Sequence, residues 1–345
     1  MIFTKNDVKK YDVSNMRDSI LSFPNQLNNM IKKIDSFQLN NKFDQIDNIL
    51  ILGMGGSAIG AEICQVLIKD KCKIPIIINR NYVIPNWVNK KTLVIASSYS
   101  GNTEETIEAY LNTLKLTVNI IVISTGGKLS KLAKNNNNDL FVIDKNYQPR
   151  AAIGYSIMAI LFSLIKTKNI DFSIVGDINA VIEDLKKYSN DLSKINKNNY
   201  AIEMAYNLES KNPIIYGSIE NTDVIALRFR GQLQENAKMM AFHNVIPEMN
   251  HNEIEASNYN NNSCILWLLD KRDHIQIQKR IKISKKILEE EGIKNHIIEM
   301  KGSKFIERFF KFIILTDWIS FYLAIINKID PSPVEKITKL KSLLK

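Results

Sequence analysis

Short apolar runs, each followed by a polar or glycine-bearing turn and then a stretch of helical periodicity, set the rhythm of this chain from residue 48 onward. Runs rich in Ile, Val and Leu stand at 48–53, 74–79, 92–97, 119–124 and 140–143. Their continuous apolar character predicts strands covered on both faces, and the helices between them make the sheet parallel. Upstream, Ile20, Leu21, Phe23, Leu27, Met30, Ile31 and Ile34 recur at roughly helical spacing and predict a helical lead-in. A polar stretch at 189–200 reads as the region between domains. Beyond it the alternation restarts, with strands at 213–216, 264–269 and 296–300 and a closing helix at 304–327. The expected fold class is α/β, with two domains at 1–188 and 189–345, in keeping with a length of 345 residues.

Two turns in this pattern carry chemistry. One is Asn48-Ile-Leu-Ile-Leu-Gly-Met-Gly-Gly-Ser-Ala-Ile-Gly60, and the other is Leu93-Val-Ile-Ala-Ser-Ser-Tyr-Ser-Gly-Asn-Thr-Glu-Glu-Thr106. Each lies where a strand gives way to a helix, whose first N–H groups and partial positive charge suit an anion. Gly53, Gly55 and Gly56 let the backbone approach an oxyanion closely. Ser57, Ser98, Ser100 and Thr103 add neutral hydroxyl donors, so the pair predicts a phosphate seat on a metabolite. Ligands in such sheets lie beyond the carboxyl ends of the strands, where both turns fall.

Composition narrows the field. Hydrophobic content of 45% and charged content of 24% are those of an ordinary globular protein. The net charge of +10 is spread through amphipathic helices without interleaved aromatics, which argues against nucleic acid as a partner. No signal peptide or membrane span is expected; the nearest apolar run, 151–165, reads as a buried helix. Three cysteines, Cys64, Cys72 and Cys264, and four scattered histidines show no metal-ligand spacing, so no metal is expected and a cytoplasmic setting is.

The glycine turn also meets a loose dinucleotide pattern, yet the second strand ends in Asn79-Arg80 where a ribose-binding acid belongs. Arg80 would suit only a 2′-phosphate, and that reading leaves the second serine turn without a purpose. A Walker loop is excluded because no Gly-Lys-Ser/Thr follows the glycines.

Six ordered motifs carry a resemblance over nearly the whole chain. They are Gly-Met-Gly-Gly-Ser-Ala-Ile-Gly at 53–60, Ser-Tyr-Ser-Gly-Asn-Thr-Glu-Glu-Thr at 98–106, Pro-Arg-Ala-Ala at 149–152, and Glu-Asn-Ala-Lys at 235–238. Pro-Glu-Met-Asn-His-Asn-Glu-Ile at 247–254 and Asp-Pro-Ser-Pro-Val-Glu-Lys-Ile-Thr-Lys-Leu-Lys at 330–341 complete the set. Together they resemble the bifunctional phosphoglucose/phosphomannose isomerases of the sugar isomerase (SIS) superfamily. The resemblance implies two SIS domains with the active site between them, no metal or organic cofactor, and a homodimer with shared sites. It implies a phosphosugar held by Gly56, Ser57, Ser98, Ser100 and Thr103, with Arg150 facing the reacting carbons. Glu235 would move a proton between C2 and C1, His251 would assist ring opening, and Lys341 would be a further proton-transfer group.

The chemistry asks for such groups. Aldose–ketose isomerisation needs one carboxylate that gains and loses a proton, and a guanidinium that stays charged beside the enediolate. An imidazole titrating near neutrality suits proton exchange with a ring oxygen. By residue type alone, Glu235 would be a surface glutamate, Arg150 a surface ion-pair partner, His251 a solvated histidine and Lys341 part of a basic helix end. Two other readings remain open: an isomerase of another phosphosugar, and a non-catalytic phosphosugar sensor, which has no need of a carbon base.

Overall fold

The computed structural model describes residues 3–43, 45–256 and 262–344, so residues 1, 2 and 44 of the lead-in lie outside the described residues. The chain divides into two units, one of residues 22–183 and one of residues 1–21 with 184–345. Its helical lead-in comprises α1 (Lys5–Tyr11), α2 (Met16–Leu21) and α3 (Phe23–Lys32).

The unit of residues 22–183 continues from α3 through β1 (Asn48–Leu52), α4 (Gly55–Ile68), β2 (Ile76–Asn79), β3 (Thr92–Ser97), α5 (Glu104–Thr113), β4 (Ile120–Ser124), α6 (Gly127–Asn135) and β5 (Asp139–Val142), to α7 (Ile153–Lys166) and α8 (Ser173–Asn179). Its sheet runs in the order β2-β1-β3-β4-β5 with every pairing parallel. One face, with Leu50, Leu52, Val94, Ala96, Ile120 and Val122, forms a core with Ile107 and Tyr110 of α5 and Leu129 and Ala133 of α6. The alternate residues Ile49, Ile51, Ile95, Ile121 and Ile123 are fully buried too, with α4 and α7 packed on the sheet. Double coverage is the physical reason for the continuous apolar runs.

In the second unit, α9 (Ile182–Leu192), α10 (Tyr200–Leu208), β6 (Asn212–Ser218), α11 (Asp223–Glu235), β7 (Phe242–Ile246), β8 (Ser263–Leu269), α12 (Ile275–Glu290), β9 (Asn295–Glu299), α13 (Phe305–Ile326) and α14 (Glu335–Leu343) follow. The sheet order is β7-β6-β8-β9, again all parallel. Tyr216 stacks on Trp267 at 4.7 Å between ring centres, within a core closed by Ile281 and Leu288 of α12.

Besides the edge strand β7, which the sequence pattern does not predict, two features depart from the sequence expectations. Residues 1–21 pack with the second unit, and the division falls at 183/184 rather than 188/189. Met16 and Ile20 are buried, α1 and α2 pack against α13, and the Phe3 ring lies 5.4 Å from that of Tyr322. Helical spacing announces an apolar face without saying which core receives it. The expectation that no run is long enough to span a membrane is corrected by α13, whose 22 residues are long and apolar enough. Its most apolar stretch is 89% buried inside the protein, so it is the central helix of this unit.

Gln26, fully buried on α3, stitches the entry of α7 in place. Its Nε2 donates to Ala151 O at 2.8 Å and its Oε1 accepts from Gly154 N–H at 3.1 Å. Gln26→Ala leaves two buried backbone groups unsatisfied, and denaturant unfolding is expected to show a loss of about 2–4 kcal/mol. His243 on β7 offers a second check, because burial, reinforced by Arg230, depresses its pKa below the usual value. As pH falls through about 6.5, the unfolded chain takes the proton before the folded one, so stability drops. His243→Gln should therefore lose stability less steeply than the parent between pH 7 and 5, measured by thermal melts.

Candidate active site

Because β1 pairs with β2 on one side and β3 on the other, the carboxyl ends of β1 and β3 form the switch point of their sheet, where open α/β sheets bind ligands. Both serine turns stand there. Gly55 opens α4 with φ of 49°, a left-handed backbone that glycine adopts without steric cost. Met54 gives no side-chain cap; Ser57 N–H donates to Met54 O at 3.1 Å, and the N–H groups of Gly55 and Gly56 at the very start of α4 are those suited to an external acceptor. A side chain at Gly56 would place its Cβ 2.9 Å from Pro149 O, so the absence of one admits the Pro149–Ala151 turn and, with it, Arg150.

The hydroxyls of the two turns interlock. Ser57 Oγ accepts from Tyr99 N–H at 3.3 Å, which ties the first turn to the second. Ser98 Oγ and Thr103 Oγ1 lie 2.8 Å apart, and Ser98 Oγ also accepts from Gly101 N–H at 3.1 Å. Ser57 and Ser98 are buried, whereas Ser100 is exposed, its Oγ accepting from Asn102 N–H at 3.2 Å. Gly101, at φ of 67°, passes so close to Gly126 that no Cβ fits. Arg150 is buried on its 3-10 turn, immediately before the carbonyl held by Gln26. Burial pushes the Tyr99 phenol up to about 12, so it stays neutral, with its oxygen accepting from Tyr147 N–H at 3.2 Å. All six residues expected to hold the phosphosugar thus belong to one unit and one end of one sheet.

Arg80, the group a 2′-phosphate would need, instead sits 2.8 Å from Glu62 Oε1. Among the described residues, no three His, Cys, Asp or Glu side chains converge as metal ligands.

In the other unit, Glu235 is the last residue of α11 and is partly buried. One face of that helix is fastened to α13 by buried polar contacts at i, i+4 and i+8. Arg228 Nη2 lies 2.7 Å from an Asp317 oxygen, Gln232 Nε2 donates to Asp317 at 2.8 Å, and Asn236 Nδ2 donates to Ser320 Oγ at 3.0 Å. These contacts fix the rotation of α11 and therefore the direction of its Glu235 end. His251 is exposed on the 3-10 turn Glu248–His251. The segment behind it is pinned by Glu253, whose carboxylate accepts from Tyr216 Oη at 2.8 Å and Asn244 Nδ2 at 2.5 Å. Lys341 is exposed on α14.

The switch point of this second sheet, between β6 and β8, is built differently. Ser218 Oγ, Asn221 Nδ2 at 2.6 Å and Asp270 N–H at 2.8 Å all donate to the Asp273 carboxylate. Burial raises the Asp273 pKa in spite of those donors. The sequence offered no signal for this filled turn, nor for Gln26, since their partners lie tens of residues away.

Comparison with known proteins accords with this geometry. Residues 197–344 match the bacterial phospho-glucose isomerase C-terminal SIS domain. A bifunctional phosphoglucose/phosphomannose isomerase of Caldicellulosiruptor bescii is 39% identical over 341 residues, covering 95% of this chain and 98% of that one. A hypothetical protein from Thermus thermophilus superposes with a TM-score of 0.74 at 14% identity, covering 99% of this chain and 92% of that one. The C-terminal domain of glucosamine-fructose-6-phosphate aminotransferase from Francisella tularensis gives 0.72 at 15% identity, over 94% and 98%. The two structural likenesses speak for the SIS fold alone. With serine turns at a sheet switch point and a relative matched end to end, the chain belongs to the bifunctional phosphoglucose/phosphomannose isomerase family.

Proposed function

We propose that this chain interconverts glucose 6-phosphate and mannose 6-phosphate with fructose 6-phosphate through a cis-enediol. The observation that carries the reading is the Ser57–Tyr99 hydrogen bond, which joins two hydroxyl-rich helix entries into one anion seat. Family membership supplies the reaction.

The phosphate rests on neutral donors of Gly56, Ser57, Ser98, Ser100 and Thr103, so release stays easy. His251 exchanges the proton that ring opening moves between O1 and the ring oxygen. Glu235 then takes the C2 proton as O1 gains one, giving the enediol, and returns it to C1 as O2 loses its own. Arg150 stabilises the negative charge that develops on the way. Lys341 serves the same proton traffic near the sugar oxygens. The free thiols of Cys64, Cys72 and Cys264 support a reducing, cytosolic setting. Two copies form the working enzyme in this reading, each lending His251 to the other.

A coupled assay that detects glucose 6-phosphate formed from fructose 6-phosphate tests the activity, and the same assay on mannose 6-phosphate tests the second epimer. Glu235→Gln should lower turnover by about 10²–10⁴-fold while fructose 6-phosphate still raises the melting temperature. Ligand-dependent stabilisation of the parent protein without turnover of any phosphosugar would instead mark a sensor. Gly56→Ala forces the Pro149–Ala151 turn outward, and KM should rise about tenfold, equal to one lost hydrogen bond, with a smaller change in kcat.

A further inference from the structure

Lys238 closes the Glu-Asn-Ala-Lys motif, and the proton chemistry above gives it nothing to do. Its backbone is left-handed, with φ of 56°, an uncommon setting for a residue with a side chain. Its ammonium is surrounded by carbonyl oxygens. It donates to Glu235 O, at the end of α11, to Pro333 O at 2.6 Å and to Pro331 O at 3.5 Å. The three N–H donors of an ammonium match three acceptors, and the first belongs to a helix C-terminus, which favours a cation.

Two of those acceptors lie more than ninety residues onward, in the segment that joins α13 to α14. That segment sets the start of α14, which carries Lys341. The helix does little to anchor itself, having no buried residue and no side-chain cap at Val334. Ser332, between the two prolines, is buried, with its N–H donating to Asp330 Oδ1 at 2.9 Å.

We propose that Lys238 is a positioning residue: it fastens the 331–333 segment, and through it the Lys341-bearing helix, to the backbone of Glu235. The catalytic part of this inference rests on the roles given above to Glu235 and Lys341, and the structural tie does not. Loss of the ammonium should free the C-terminal segment without disturbing either sheet.

The test compares Lys238→Met and Lys238→Arg with the parent enzyme, alone and in a Lys341→Ala background. Lys238→Met should speed tryptic cleavage within 336–341 and lower kcat, each by about tenfold, with KM within about twofold, as for one charge-assisted hydrogen bond. Lys238→Arg should restore most of both. In the Lys341→Ala background, Lys238→Met should cost little further kcat, because the two residues act through one segment. Unchanged cleavage overturns the tie. Additive losses in the double variant, or a melting shift with kcat unaltered, overturn the positioning role. Full turnover of Glu235→Gln with accelerated cleavage of Lys238→Met would sink the assignment of the base and leave the tie standing.

Discussion

Parallel pairing of β1 with β3 is the constraint on which the proposed phosphate seat depends. It brings two strand ends side by side, so that each following helix begins at the same edge of the sheet. The Ser57–Tyr99 hydrogen bond exists only because of that adjacency. Glycine at 56 and 101 then removes the side chains that would hold neighbouring backbone away, and the Pro149–Ala151 turn closes in with its arginine. The proposed seat is thus a consequence of sheet topology, and its serine hydroxyls accept mainly from backbone N–H groups of the second turn, at Tyr99, Gly101 and Asn102.

The direction of Glu235 depends on a different kind of interaction. Arg228 and Asp317 are almost wholly buried, with side-chain exposures of 3% and 5%. Such a pair contributes little net stability once desolvation is counted, although removing one partner is costly. What it supplies here is geometry. An apolar seam between α11 and α13 would tolerate rotation or a slip along the helix, whereas contacts at Arg228, Gln232 and Asn236 are satisfied in one alignment.

Much of this was legible in the sequence, for reasons that differ by element. Strands buried on both faces announce themselves as unbroken Ile/Val/Leu runs, and β1 to β5 fall within two residues of their expected bounds. The edge strand β7, Phe-His-Asn-Val-Ile, was missed because it is half exposed and mixes polar with apolar residues. The serine turns were visible because their chemistry is local, all within a few residues of a strand end. Gln26, Asp317 and Asp273 were not, since each gains its meaning from a partner that only the fold brings near. A buried glutamine 125 residues from the carbonyl it holds leaves no mark on local pattern.

The two sheets also explain why one phosphate seat is expected in each chain. Both have a switch point flanked by serine and threonine, at Ser57, Ser98 and Thr103 in one and at Ser218 and Thr222 in the other. In the second, the donors already face an acceptor, the carboxyl group of Asp273, which the chain itself supplies. An incoming phosphate there would have to displace a tethered acceptor that already holds the donors of the turn. Thr222 completes the closure: its hydroxyl donates to Leu268 O at 3.0 Å and accepts from Ser218 N–H at 2.9 Å, so it has no donor left for a phosphate. Duplicate architecture therefore yields unlike halves, one whose switch point carries the proposed substrate seat and one that uses the same edge to brace its own fold.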